Sequence, residues 1–104
     1  MKSKKVQKIE IKQSDLHPHI KSRMGQRGIS LSEIEKTINE GKDSGDAKEG
    51  TFGKVFVFQY NNYWEGNFFQ EKEVSVYYKL KNDSLVLLTT KARYGKDFFK
   101  ERQK

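Results

Sequence analysis

The sequence predicts an α+β fold, with two helices in the N-terminal half and an antiparallel sheet after them. Three observations carry this. Residues 29–41 combine helical periodicity with start and stop signals, and residues 54–93 hold β-branched and aromatic runs, one of them alternating. No repeat and no Pro- or Ser-rich linker divides the 104 residues, so one domain is expected, over about 14–99. Residues 1–13 form a basic lead-in and 100–104 a charged tail.

Each element has a local reason. In the lead-in, Ile9 and Ile11 stand two apart, a candidate short first strand. The first helix is placed at Pro18–Arg27, because proline suits a first turn whose N–H groups lack intrahelical partners. Gly28 can take the left-handed cap. Leu16, Ile20 and Met24 make its apolar stripe, with His19, Arg23 and Arg27 beside it at i, i+4 spacing. In the second helix, Ser30 and Glu33 have capping-box spacing, and Ile29 and Ile34 match a hydrophobic staple. Leu31, Ile34 and Ile38 form its stripe, and Gly41 ends it. Residues 42–50 read as a loop. Lys54–Tyr60 reads as a strand, Asn61-Asn62 as a tight turn, and Tyr63–Phe69 as a return strand bent at Gly66. Glu73–Lys81 alternates, with Val74, Val76, Tyr78 and Leu80 on one face. Asn82-Asp83 is a hairpin turn. Leu85–Leu88 is apolar on both faces, which predicts the central strand. The core is expected from Leu31, Ile34, Ile38, Val55, Val57, Val74, Val76 and Leu85–Leu88.

Composition narrows the function. Lys and Arg number 21 against 14 Asp and Glu, a net charge of +7. Such a chain is drawn to phosphate-rich polymers through counterion release, although the same charge also serves solubility. There is no cysteine, which excludes disulfide scaffolds and thiolate zinc sites and fits a reducing compartment. No apolar run approaches the ~20 residues of a membrane span. The basic start lacks the apolar stretch of a signal peptide. A cytoplasmic protein without a membrane partner is expected. No P-loop, dinucleotide glycine pattern, metalloprotease helix or nucleophile elbow is present. His17 and His19 have no third convincing ligand nearby, so neither metal nor cofactor is expected.

Three constellations remain. His19, Arg23 and Arg27 make a strip able to hold a phosphodiester: histidine titrates near neutrality and arginine forks match phosphate oxygens. The same spacing suits the solvated edge of a helix. At the end of the last strand, Thr89, Lys91 and Arg93 share one parity and Thr90 and Tyr94 the other, so polar groups gather where apolar character stops. Gly95 ends that strand. An ordinary polar strand end followed by a loop would look the same. The aromatics exceed what a small core holds. Tyr63 and Trp64 are the pair most suited to exposure, for stacking on unpaired bases or for binding a protein.

Residues 19–30, His-Ile-Lys-Ser-Arg-Met-Gly-Gln-Arg-Gly-Ile-Ser, resemble the opening of a widespread bacterial and phage domain family. Its members carry a His, then Arg-Met, then Arg-Gly-Ile before a second helix. Residues 87–95, Leu-Leu-Thr-Thr-Lys-Ala-Arg-Tyr-Gly, resemble its last strand. That family looks related to the barnase–EndoU–colicin–RelE group of small ribonuclease toxins. The resemblance implies two N-terminal helices packed on a four-stranded antiparallel sheet, with RNA on the sheet's exposed side. It implies metal-independent cleavage through the ribose 2′-hydroxyl, leaving a cyclic phosphate. By resemblance, His19, Arg23, Thr90, Arg93 and Tyr94 are the candidate catalytic residues. His19 is expected as the main acid–base group, with Tyr94 second. Arg23 and Arg93 are expected to clamp phosphate, Thr90 and Lys91 to assist, and Arg27, Lys91, Lys96, Tyr63 and Trp64 to contact RNA. RNA is the expected partner, with an acidic antitoxin or immunity protein as a second. The alternative is a non-catalytic phage- or plasmid-type protein that inhibits a host protein or only binds nucleic acid.

Overall fold

Ser30 starts the second helix as its spacing predicts. Its side chain accepts from the Glu33 N–H, and the Glu33 carboxylate accepts from the Ser30 N–H, closing the capping box. The structure is a computed structural model, and it describes residues 9–82 and 84–98. Helix α1 spans Pro18–Arg27 and α2 spans Leu31–Glu40. Gly28 joins them at φ 69°, the left-handed cap that glycine adopts without steric cost. Four strands follow: β1 (Lys42–Asp43), β2 (Phe52–Trp64), β3 (Asn67–Lys81) and β4 (Ser84–Gly95). They form one antiparallel meander in the order β1-β2-β3-β4. Two helices packed on a four-stranded antiparallel sheet is the predicted α+β architecture.

The core lies between the helices and one sheet face. Ile20, Ile34, Ile38, Val74, Val76 and Leu87 are buried there, with Leu16, Ile29 and Tyr78. Val55 is also buried, whereas Leu31, Val57, Leu85, Val86 and Leu88 are only half-buried. Among the described residues, no helix is long and apolar enough to cross a membrane.

Several boundaries differ from the sequence reading. Residues 9–11 do not join the sheet. Their backbone bonds α2 side chains instead: Ile9 exchanges two bonds with the Asn39 amide (2.8 and 2.9 Å), and the Ile11 N–H donates to Glu35 (2.8 Å). Ile11 thereby enters the core; residues 6–8 lie outside the described residues. The turn expected at Asn61-Asn62 is a bulge, with Asn61 at φ 45° and a register shift between Gln59 and Asn62. The chain reverses at Glu65-Gly66, whose φ values of 50° and 89° suit a two-residue hairpin turn. The expected strands on either side of residue 70 therefore merge into the 15-residue β3. Asn82 has φ 52° at the next reversal, and Asp83 lies outside the described residues. The strand over 85–88 is not central; β4 is an edge strand. It is apolar on both faces because helices cover one side, while the 44–51 loop reaches the other, where Leu88 lines a cavity.

One buried cation ties the layers together. Lys72 of β3 is 2% exposed. Its ammonium donates to the Gly28 carbonyl and to Glu33 Oε1 (2.8 Å), beneath the rings of Tyr60 and Tyr94 (5.4 and 5.5 Å). Removing one partner of a buried pair strands the other. Lys72→Met is expected to cost about 3 kcal/mol, read as a fall in the urea midpoint. Lys36→Ala, which breaks the exposed Lys36–Glu40 pair at 3.9 Å, is expected to cost under about 0.5 kcal/mol.

Candidate nucleic-acid interface

Side-chain alternation divides the β3–β4 ladder into two faces. Cross-strand pairs share a face, so Lys72–Tyr94, Val74–Ala92 and Val76–Thr90 point to the helices. Glu73–Arg93, Ser75–Lys91 and Tyr77–Thr89 point to the open side. The β3–β4 register shifts between Tyr77 and Tyr78, which leaves Leu88 as an extra residue on β4.

On the open face, Glu73 and Arg93 form a two-point pair, with Nε–Oε1 3.1 Å and Nη2–Oε2 3.3 Å. The carboxylate is 6% exposed and the guanidinium side chain 54%. Phe98, 6% exposed, stacks on the guanidinium at 4.3 Å. Two residues back along β4, the exposed Lys91 holds its ammonium 5.2 Å from the Tyr77 ring centre. The Tyr77 hydroxyl donates to both Asp46 oxygens (2.9 and 3.1 Å). Hydrogen bonds from Ser44 and Tyr77 lower the Asp46 pKa from its ordinary value, and Lys91 adds to the effect. The 44–51 loop can sit this close because Gly53 leaves room: a Cβ there would strike Ser44 Oγ and the Tyr77 ring. Asp46, Lys48, Tyr77, Thr89 and Lys91 line a cavity of about 280 Å³ with Thr51 and Leu88.

The structure brings Lys91 and Arg93 together but not the full predicted set. His19 is exposed on α1, and its Nε2 lies 3.2 Å from the Leu88 carbonyl at the bulge. At ~3.3 Å per residue, Arg93 is about 16 Å further along the strand, and it faces the open side. His19 and Arg93 therefore do not share one phosphate. Arg23 is exposed on α1, on the helix layer. Arg27 is half-buried at the α1–α2 turn, and its Nη1 is buried with no hydrogen-bond partner among the described residues. Thr90 is 1% exposed and donates to the Ser75 carbonyl (2.9 Å), a core position out of a substrate's reach.

Tyr94 faces the helices. Its hydroxyl donates to the Arg27 carbonyl (2.6 Å), and its ring stacks on Trp64 (5.3 Å, 10°). Burial, foremost, pushes the phenol pKa up, with the nearby Tyr60, Glu33 and Glu65 adding to it. That moves it away from the near-neutral value a proton donor needs. Trp64 is a wedge more than a platform: a Cβ on Gly28 would come within 2.5 Å of it. Tyr63 remains outside, 65% exposed beside Phe68, which is 51% exposed. Lys96 is exposed and borders a groove with Phe68, Phe69 and Gly95. Among the described residues, no group of three His, Asp or Glu side chains is placed to hold a metal ion.

Sequence reasoning does not single out Glu73 or Asp46, and it takes Tyr77 only as one of the surplus aromatics. Glu73 and Tyr77 carried a signal, since they alternate with Val74, Val76 and Tyr78. Asp46 carried none, because its place depends on how the loop folds back.

Residues 16–90 match a family described as a domain of unknown function, DUF4258. The chain belongs to the DUF4258 family. No curated protein and no solved structure matches it significantly. The DUF4258 span takes in both helices, the first three strands and β4 as far as Thr90. It includes Glu73, Tyr77 and Asp46, and stops one residue before Lys91.

The Tyr94 bond gives a test of the helix-side assignment. Tyr94→Phe keeps the ring and loses one buried hydrogen bond, for an expected cost of about 1–2 kcal/mol in urea unfolding. Because folding raises this pKa, the hydroxyl's contribution is present at neutral pH. It fades as pH climbs beyond the ordinary tyrosine value of about 10. The gap between parent and Tyr94→Phe should therefore narrow above that pH.

Proposed function

We propose that this chain is a ribonuclease-type domain that seats single-stranded RNA on the open face of its sheet. The observation that carries the reading is the placement of Lys91 and Arg93 on alternate rungs of one face, with Glu73 between β2 and Arg93. Two cations aligned on a rigid strand suit successive contacts along a phosphate backbone. The net charge of +7 adds long-range attraction. The helix-then-meander order is in keeping with the ribonuclease-toxin resemblance.

Cleavage on this face proceeds without a metal. Arg93 meets a phosphate with the exposed part of its guanidinium while it keeps its pair with Glu73. The Glu73 carboxylate then accepts the proton of the ribose 2′-hydroxyl. The 2′-oxygen bonds to phosphorus, the bond from phosphorus to the 5′-oxygen breaks, and the 5′-oxygen takes a proton from solvent. Arg93 and Lys91 stabilise the charge that builds on the phosphorane oxygens. The product is a 2′,3′-cyclic phosphate. His19 serves α1 packing and outer RNA contact in this scheme. A cytoplasmic setting suits the substrate, and an acidic antitoxin or immunity protein would complement the Lys91–Arg93 face.

The exposed Tyr63–Phe68 pair at the hairpin tip favours one second reading: a non-catalytic inhibitor that docks this tip on a host protein. Expression in bacteria separates the two. Growth arrest supports the ribonuclease. Harmless expression with a stable pull-down complex, lost in Tyr63→Ala, supports the inhibitor.

In vitro, single-stranded RNA should bind at low salt and weaken steeply as salt rises, with Lys91→Ala lowering the log–log salt slope by about 1. Glu73→Gln should cut cleavage about 100-fold or more while binding persists. His19→Ala should stay within a few-fold of the parent, and EDTA should change nothing. Absence of RNA binding at low salt overturns the proposal. So does full cleavage by Glu73→Gln.

A further inference from the structure

Two cations of the open face each rest on an aromatic ring, and each ring rests on a glycine. The Lys91 ammonium lies 5.2 Å from the centre of the Tyr77 ring, and the Arg93 guanidinium carbon lies 4.3 Å from that of Phe98. Tyr77 is the cross-strand partner of Gly53, and a Cβ on Gly53 would come within 2.9 Å of its ring. A Cβ on Gly95 would come within 2.8 Å of the Phe98 ring. Both rings therefore lie against bare backbone, closer than any side chain on these glycines would allow. Each aromatic residue is also tied by a carboxylate. The Tyr77 hydroxyl donates to Asp46, and the Phe98 N–H donates to Glu71 Oε1 (2.7 Å). Two stacks of glycine, ring and cation thus stand on one face, about 7 Å apart along β4.

This layering bears on how the cations bind. Lysine and arginine lose rotamer freedom when they grip a phosphate. A ring face attracts a cation within about 6 Å through its quadrupole. A cation already held over a ring has given up part of that freedom before the ligand arrives. Glu73 fixes the Arg93 guanidinium from a second side, along its edge (3.1 and 3.3 Å), while Phe98 covers its face. Neither Tyr77 nor Phe98 belongs to the core cluster between the helices and the sheet, so that core does not account for them.

We propose that Tyr77 and Phe98 are positioning residues of the RNA site: Tyr77 holds the Lys91 ammonium, Phe98 holds the Arg93 guanidinium, and the two rings set the spacing at which these cations meet consecutive phosphates. The inference rests on the RNA reading above and adds the parts that preorganise it.

The test is a set of double-mutant cycles on the full chain, read as poly(U) affinity at low salt. Tyr77→Leu and Phe98→Leu each remove a ring face and are expected to weaken binding about three- to fivefold. Tyr77→Leu should cost nothing further in a Lys91→Ala background, and Phe98→Leu nothing further in Arg93→Ala, because each ring acts through its own cation. In the crossed backgrounds each loss should persist in full. Tyr77→Phe and Phe98→Tyr keep the rings and should stay within about twofold of the parent. NMR of the parent gives a reading that no variant's folding can disturb: the Lys91 ε-methylene and Arg93 δ-methylene protons should be shifted upfield by the rings beneath them. Equal losses in matched and crossed backgrounds overturn the inference, since they mark a general structural effect. Parent-like affinity in both leucine variants overturns it, as do methylene shifts at random-coil positions. If the parent binds poly(U) in those cases, the RNA reading stands and the positioning role alone has failed. If the parent does not bind poly(U), the RNA reading fails and the positioning role fails with it.

Discussion

The buried Lys72 ammonium is the constraint on which the arrangement of layers depends. It leaves β3 on the helix side and ends on two acceptors from the α1–α2 junction, the Gly28 carbonyl and Glu33. Glu33 simultaneously caps α2 through the Ser30 N–H. One carboxylate thus fixes both where the helix begins and how it sits on the sheet. The neutral alternative at this position would leave a carboxylate and a carbonyl facing an apolar layer, which is costly. Tyr94 adds a second tie to the same junction through the Arg27 carbonyl, and Trp64 fills the space that a side chain at Gly28 would need.

This accounts for part of the sequence signature that suggested a functional family. Arg27-Gly28-Ile29-Ser30 is a packing motif: a carbonyl for Tyr94, a left-handed cap carrying a carbonyl for Lys72, a core isoleucine and a helix cap. The sequence shows the cap and the glycine. It does not show their partners, which lie 44 and 67 residues away along the chain. For the same reason Tyr94 reads as a site residue in sequence and is a structural one in space.

Legibility follows interaction range. Both helices were legible because their signals are local: Pro18, Gly28, the Ser30–Glu33 box and stripes at helical spacing. Strand parity was legible too, and it correctly set Lys91 and Arg93 apart from Thr90 and Tyr94. Strand order was not, because apolar character on both faces does not reveal what covers each face. The 44–51 loop over β4 made an edge strand look central. The hairpin turn was misplaced for a related reason. Asn and Gly both tolerate positive φ, and the cross-strand register, a non-local property, selects Glu65-Gly66 for the reversal and Asn61 for the bulge. The segment at Ile9–Ile11 has strand-like alternation, but its backbone bonds go to α2 side chains that no local pattern indicates.

The two faces also differ in what their polar groups do. On the helix side, Lys72, Thr90 and Tyr94 spend their polar groups on backbone carbonyls or a capping carboxylate. On the open side, Lys91, Arg93, Lys48 and Asp46 present charge at the surface of a strand and loop that the core already holds in place. Binding residues set on a rigid element lose little entropy when they engage, because the strand is ordered beforehand. A change at Lys91 or Asp46 therefore alters surface chemistry while the Lys72 tie persists. A change at Lys72 or Tyr94 acts on the open face only by loosening the sheet beneath it. Separating those two effects requires stability and binding to be measured on the same variant, and the alternation of β3 and β4 makes the separation clean.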